Sequence, residues 1–224
     1  MDSQWESLRT LLDAGLQRLG LAEQVPEATR SNLLLYVEEL ERWNRTHNLT
    51  AVRDRFQMVS RHLLDSLTFV QKLPDEVAIL DIGSGAGLPG IPLAMLRPAQ
   101  TVVLVEPAVK KVAFLRHVLG RLSLTNVQVA PYRVEDLQFD GGAVLISRAT
   151  AEVADFLQMT QHLLEPGREI LLAKGPRWAV ELERCPRQWQ EGWELVPLPE
   201  LDGGQRVLLH RRIGQRPDRQ ALVP

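Results

Sequence analysis

Residues 77–90 read Val77-Ala78-Ile79-Leu80-Asp81-Ile82-Gly83-Ser84-Gly85-Ala86-Gly87-Leu88-Pro89-Gly90. An apolar run of strand character ends in an acid, Asp81. Glycines follow at 83, 85, 87 and 90, and Pro89 is poised to open a helix. A glycine-rich turn between a strand and a helix lets a ligand approach the backbone, because no Cβ stands in the way.

Two cofactors compete for such a turn. Gly85, Gly87 and Gly90 satisfy the dinucleotide spacing G-x-G-x-x-G. Glu106 lies about 20 residues on, where an acid holds ribose hydroxyls. Charge opposes a dinucleotide: its pyrophosphate would meet the Asp81 carboxylate. S-adenosylmethionine brings no phosphate. Its cationic sulfonium and α-ammonium suit Asp81, and its ribose suits Glu106. The residues therefore favour S-adenosylmethionine, with NAD as the alternative. Four glycines and two placed acids argue against a turn that holds nothing.

The chain has 224 residues, is 45% hydrophobic and carries a formal net charge of -2. That size suits one large α/β domain or a domain with a small helical extension. The pI near 6.2 excludes a globally basic nucleic-acid coat but leaves room for a local basic face. Cys185 is the only cysteine, which excludes an intramolecular disulfide and a four-cysteine zinc site. No HExxH or CxxC pattern occurs, so no metal is expected. The acidic start Met1-Asp2-Ser3-Gln4-Trp5-Glu6 lacks a cationic leader, and no stretch approaches 18 uninterrupted apolar residues. The expectation is a soluble cytoplasmic protein with no membrane partner.

Residues 1–72 read as a helical extension. Trp5, Leu8, Leu11, Leu12 and Leu16 form one stripe. Pro26 opens a second helix with Leu33, Leu34, Val37, Leu40 and Trp43 on one side. A third follows Asp54, with Met58, His62, Leu63, Leu67 and Val70 near one face. After Pro74 the pattern changes, and residues 73–213 read as the cofactor-binding domain. Short apolar runs at Val77–Leu80, Thr101–Val105, Val127–Ala130, Ala143–Ile146 and Ile170–Ala173 alternate with helical segments near 89–97, 108–121 and 151–164. Alternation of this kind predicts a mostly parallel sheet wrapped by helices. Glu194–Pro197 and Val207–Arg211, joined through Gly203-Gly204, read as an antiparallel pair at its end. Residues 214–224 read as a frayed tail.

Ligands of such sheets bind outside the carboxyl ends of the strands. Asp81, Glu106, the segment Tyr132-Arg133-Val134-Glu135-Asp136, Arg148 and Lys174 all fall there. Glu152 and Asp155 are possible surface partners of Arg148. No Asn/Asp-Pro-Pro-aromatic turn for amine methylation follows strand 4, and Cys185 lies too far along to be a nucleophile at a pyrimidine carbon. An acceptor that is already nucleophilic remains, such as the 7-position nitrogen of guanine. Transfer to it needs positioning more than a general base. Arg148 and Lys174 are the candidate catalytic positioning groups, since cations donate to the acceptors on that guanine edge. The block Trp43–Asp54 and the arginines around it look built to present side chains over a pocket. Asn48, Arg53, His62 and Arg116 are the candidate substrate contacts, with a hydrogen-bonded core histidine as the other reading of His62.

The blocks W-N-R-T-H-N-L-T-A-V-R-D, R-H-L-L-D-S-L, L-D-I-G-S-G-A-G-L-P-G-I-P-L-A, K-K-V-A-F-L-R, R-V-E-D, I-S-R-A and A-K-G, in this order, closely resemble the RsmG (GidB) family. These are bacterial methyltransferases of small-subunit ribosomal RNA. The resemblance runs from about residue 10 to residue 211 and implies a Rossmann-like class I methyltransferase: an α/β fold with a mostly parallel seven-stranded sheet and an N-terminal helical extension. It implies methylation, from S-adenosylmethionine, of the 7-position nitrogen of one guanosine in the small-subunit rRNA, naked or in the assembled subunit. It places Gly83 and Leu88 of the turn at the cofactor, together with Val134, Glu135 and Arg148; the glycine spacing adds Gly85, and an RNA substrate makes Asn48, Arg53, His62 and Arg116 the candidate RNA contacts. Glu106 stands where many relatives carry Asp. A monomer is expected. A non-enzymatic cofactor-binding assembly factor and a small-molecule methyltransferase are the alternatives.

Overall fold

The computed structural model describes residues 3–148, 151–199 and 206–214. The 203–204 connection, Ala149 of the I-S-R-A block and the tail beyond 214 lie outside the described residues.

Helix α1 (Ser3–Arg18) buries Leu8, Leu12 and Leu16 at helical spacing. Helix α2 (Glu27–His47) follows Pro26 and ends at Asn48, whose φ of 51° is left-handed. Asparagine tolerates that conformation better than most residues, and it stops the helix here. Asp54 caps α3 (Arg55–Met58) by accepting from the Gln57 N–H at 2.9 Å. The chain then widens into a π-helical stretch, Val59–Leu64, and continues as α4 (Asp65–Leu67) and a 3-10 turn, Thr68–Lys72. Apolar spacing predicts one α-helix here. The difference has a packing correlate: residues 62–69 are buried in unbroken succession, so this segment is enclosed on all sides.

Seven strands form one sheet: β1 (Ala78–Ile82), β2 (Val102–Val105), β3 (Val127–Ala130), β4 (Ala143–Arg148), β5 (Glu169–Lys174), β6 (Glu194–Pro197) and β7 (Val207–Arg212). Their order is β3-β2-β1-β4-β5-β7-β6. The first five are parallel, and β7 runs antiparallel between β5 and β6. Strand order reverses between β1 and β4, the position where open α/β sheets open a crevice. Helices α5 (Gly90–Leu96), α6 (Val109–Arg121), α7 (Val153–Thr160) and α8 (Trp178–Glu183) complete the layers.

Strand alternation divides the core. Ile79, Leu104, Ile146 and Leu171 share one cluster with α1, α2, α5 and α6. Leu80, Val103, Leu145 and Leu172 pack with Phe156 and Leu182 on the other side. The N-terminal helices are thus welded to one sheet face by a continuous apolar core, and one end of that face carries Asp81 and Arg148.

Candidate active site

The turn after β1 is held at three backbone points. Asp81 is fully buried, and its Oδ2 accepts from the Gly90 N–H at 2.8 Å. Glu106, at the end of β2, accepts from the Gly85 N–H and the Ala108 N–H, each at 2.9 Å. Tyr36 of α2 donates to the Ala86 carbonyl at 2.7 Å. Gly83, Gly85 and Gly87 have φ of 69°, 60° and 86°, which a side chain would strain. Leu88 is buried, and its N–H donates to the Ser84 carbonyl at 2.9 Å.

Among the described residues, two polar atoms in this turn are buried without a partner: Asp81 Oδ1 and Ser84 Oγ. A buried carboxylate oxygen left open is a natural acceptor for a ligand ammonium. Burial pushes the Asp81 carboxyl up to about 7. Beside the turn lies a cavity of about 170 Å³, lined by Gly83, Val105, Val134, Glu135 and Met159 among others. Val134 is buried, while Glu135 is exposed and pairs with Arg133 at 3.2 Å. The structure therefore brings Asp81, Gly83, Gly85, Leu88, Glu106, Val134 and Glu135 to one rim. A flat, mostly apolar ring and a diol suit the cavity and Glu106, so this donor set fits S-adenosylmethionine.

Arg148 leaves β4 on the face of the helical extension. It donates to the Arg61 carbonyl at 2.6 Å and to Asp65 Oδ2 at 3.0 Å. Asp65, buried, is also bridged by Arg206, whose second nitrogen lies 2.8 Å from Oδ2. The acid in contact with Arg148 is thus Asp65, whereas Glu152 pairs with Arg184 at 3.1 Å. An Arg148 nitrogen lies 3.3 Å from His62 Nδ1, and His62 Nε2 lies 2.8 Å from Thr50 Oγ1. Burial, reinforced by Arg148, pushes the His62 imidazole down to about 4. A guanidinium only donates, so Nδ1 accepts and the proton is assigned to Nε2, facing Thr50.

Lys174 departs from expectation. The β4–β5 register sets Arg148 beside Ala173, so Lys174 turns to the opposite sheet face. Its ammonium pairs with Glu181 at 2.8 Å and donates to the Ala151 carbonyl. The two cations do not converge on one guanine edge. Lys174 instead lines a separate cavity of about 550 Å³ with Glu152, Arg177 and Arg206.

The expected RNA contacts also divide. Asn48 and Arg53 are exposed and in touch, at 3.4 Å. Arg116 is exposed on α6. His62 is buried and bridges Thr50 to Arg148, so it offers RNA no surface. Asn44 shapes this loop from beneath: it accepts from the Thr50 N–H at 2.9 Å and donates to the Val52 carbonyl at 3.1 Å. Tyr36, Thr50, Asp65 and Arg206 escape the sequence reading. Only Asp65 leaves a signal there, as a lone acid inside the apolar run Leu63-Leu64-Asp65-Ser66-Leu67. Cys185 is a buried thiol whose ionisation is pushed up by burial. Among the described residues no helix is long and apolar enough to cross a membrane, and no acid, His or Cys group is arranged to hold a metal.

A glycine turn after the first of five parallel strands, an acid ending the second and an antiparallel β7 between β5 and β6 define a class I methyltransferase. The chain belongs to the GidB family, rRNA small subunit methyltransferase G, whose model matches residues 29–208. Ribosomal RNA small subunit methyltransferase G of Neisseria meningitidis serogroup C (strain 053442) is 39% identical over 202 residues, covering 90% of this chain and 97% of its own. The protein of the same name from Vibrio vulnificus (strain CMCP6) is 38% identical over 213 residues, covering 92% and 98%. A crystal structure of a SAM dependent methyltransferase from Aquifex aeolicus shares the fold, with a TM-score of 0.51 at 16% identity over 69% of this chain and 92% of that one.

Proposed function

We propose that this enzyme transfers a methyl group from S-adenosylmethionine to the 7-position nitrogen of a guanosine in small-subunit ribosomal RNA, in the cytoplasm and as a monomer. The observation that carries the cofactor reading is Asp81 Oδ1, buried at the glycine turn with no partner among the described residues. A cationic amino-acid end suits that oxygen, and a pyrophosphate would be repelled. Family membership carries the RNA substrate.

When bound, the cofactor supplies an electrophilic methyl on cationic sulfur. Asp81 would attract its ammonium. Gly83, Gly85 and Leu88 would offer it backbone, Glu106 would accept from its ribose, and Val134 and Glu135 would border its adenine. Arg148 positions the guanine. That methyl would pass to the free lone pair of the guanine nitrogen, and the positive charge would pass from the sulfur to the ring. No proton leaves, so no residue need act as a base. With a net charge of -2 the chain has no surplus of cations to neutralise many phosphates, so the assembled subunit, ribosomal proteins included, is the proposed docking partner.

The test is incubation with methyl-labelled cofactor and small subunits from a strain lacking the enzyme. Label is expected at the 7-position of one guanosine. Label on another atom, or transfer to metabolites alone, rejects the proposal.

A further inference from the structure

Ala86 sits between Gly85 and Gly87, where the turn feeds into α5. Backbone bonds on either side follow helical spacing: Leu88 N–H to the Ser84 carbonyl at 2.9 Å and Ile91 N–H to the Gly87 carbonyl at 2.7 Å. Continuing that ladder, the Gly90 N–H would pair with the Ala86 carbonyl. Among the described residues each half of that pair is taken by a side chain instead. Asp81 accepts from Gly90 at 2.8 Å, and Tyr36 donates to Ala86 at 2.7 Å.

Tyr36 is fully buried on α2, with its ring 6.2 Å from that of Phe114 on α6. Burial pushes its ionisation far up, so the O–H remains a donor. Fully buried, it offers a ligand no surface, and its hydrogen bond to the turn is to backbone. The Ala86–Gly87 peptide is planar, so fixing the Ala86 carbonyl also fixes the direction of the Gly87 N–H. That N–H closes the turn onto the Ser84 carbonyl at 2.8 Å.

We propose that Tyr36 is a positioning residue of the cofactor turn, which makes helix α2 of the extension part of the cofactor site. The proposal rests on the reading of that turn as the S-adenosylmethionine site. Tyr36→Phe removes one oxygen and leaves the Ala86 carbonyl buried without a donor, so the turn relaxes.

The test is calorimetric binding of S-adenosylhomocysteine to the full chain, as wild type, Tyr36→Phe and Leu40→Ala. Leu40 is fully buried on the same helix but has no polar link to the turn. The expected result is a Kd raised about tenfold in Tyr36→Phe, with methyl transfer restored at saturating cofactor. Leu40→Ala should melt earlier yet bind like wild type. Equal affinity in Tyr36→Phe and wild type overturns the proposal, as does equal weakening in both variants, which marks general destabilisation. A wild type that binds no S-adenosylhomocysteine overturns instead the reading of the turn on which the proposal stands.

Discussion

The Arg148 guanidinium meets the Asp65 carboxylate at 3.0 Å, joining the end of β4 to a helix 83 residues earlier. Arg206 grips the same carboxylate from β7's side of the sheet. A buried acid between two cations is costly to disturb, because any loss leaves charge uncompensated. Arg148→Ala should lower stability by about 2–3 kcal/mol, the remaining Arg206 limiting the damage. Single-turnover methyl transfer should fall about a hundredfold at saturating cofactor, the loss typical of one oriented donor. Arg148→Lys should not restore it, since an ammonium lacks the fork that meets Asp65 through one nitrogen and His62 through the other. Transfer at the wild-type rate in Arg148→Ala would remove Arg148 from the mechanism.

His62 makes the protein acid-sensitive. Its folded pKa, about 4, lies below the ordinary 6.5. Between those values the unfolded chain binds a proton that the folded chain does not, so stability falls as pH drops from 6.5 toward 4. The contribution is about 3 kcal/mol in full. Urea unfolding at pH 7 and pH 4.5 should show this loss in wild type and a smaller one in His62→Gln. Parallel behaviour of the two proteins would discard His62 as the source.

Asp81 acts with the opposite sign. Its folded pKa, about 7, lies above the ordinary 3.8. The free protein holds that proton more tightly when folded, so this group's stabilisation is complete below pH 3.8 and is lost as pH rises through 7. A ligand ammonium prefers the ionised carboxylate. Affinity for S-adenosylhomocysteine should therefore rise up to about tenfold from pH 6 to pH 8 in wild type. Asp81→Asn should bind weakly at both values with no such slope. A variant that keeps the wild-type slope would show that some other group titrates.

Asn44 latches the loop that presents Asn48 and Arg53. Asn44→Ala strips a partner from the Thr50 N–H and the Val52 carbonyl together. The cost should be about 2 kcal/mol. Hydrogen exchange should quicken over residues 48–54, and KM for the small subunit should rise while cofactor affinity stays fixed. Unchanged exchange in this loop would mean that Asn44 only fills space.

Much of this arrangement is legible in the chain because it is local. A run from Val77 into glycines, with Asp81 and Glu106 at strand ends, marks the turn, and every segment assigned as a strand is one. What escapes is set by contacts between distant residues. Nothing near Tyr36 indicates that it reaches Ala86, and nothing near Arg148 indicates Asp65. Lys174 and Arg148 both end strands, and position along the chain alone groups them. Only the β4–β5 register, a matter of one residue, shows that they face opposite ways. His62 fits a helical stripe whether it is an RNA contact or a core group; burial and Arg148 decide for the core. The π-helical stretch is invisible for a related reason, since apolar spacing does not report which carbonyl each N–H finds.

That stretch, Val59–Leu64, holds more residues per turn than the α-helical segments on either side. It therefore carries slack in one direction only. Loss of one residue outside His62 should let the ladder close as an α-helix, with Asp65 still turned toward Arg148. Gain of one residue has no such outlet and should swing Asp65 by about 100°. The segment should thus accept a shortening far better than a lengthening.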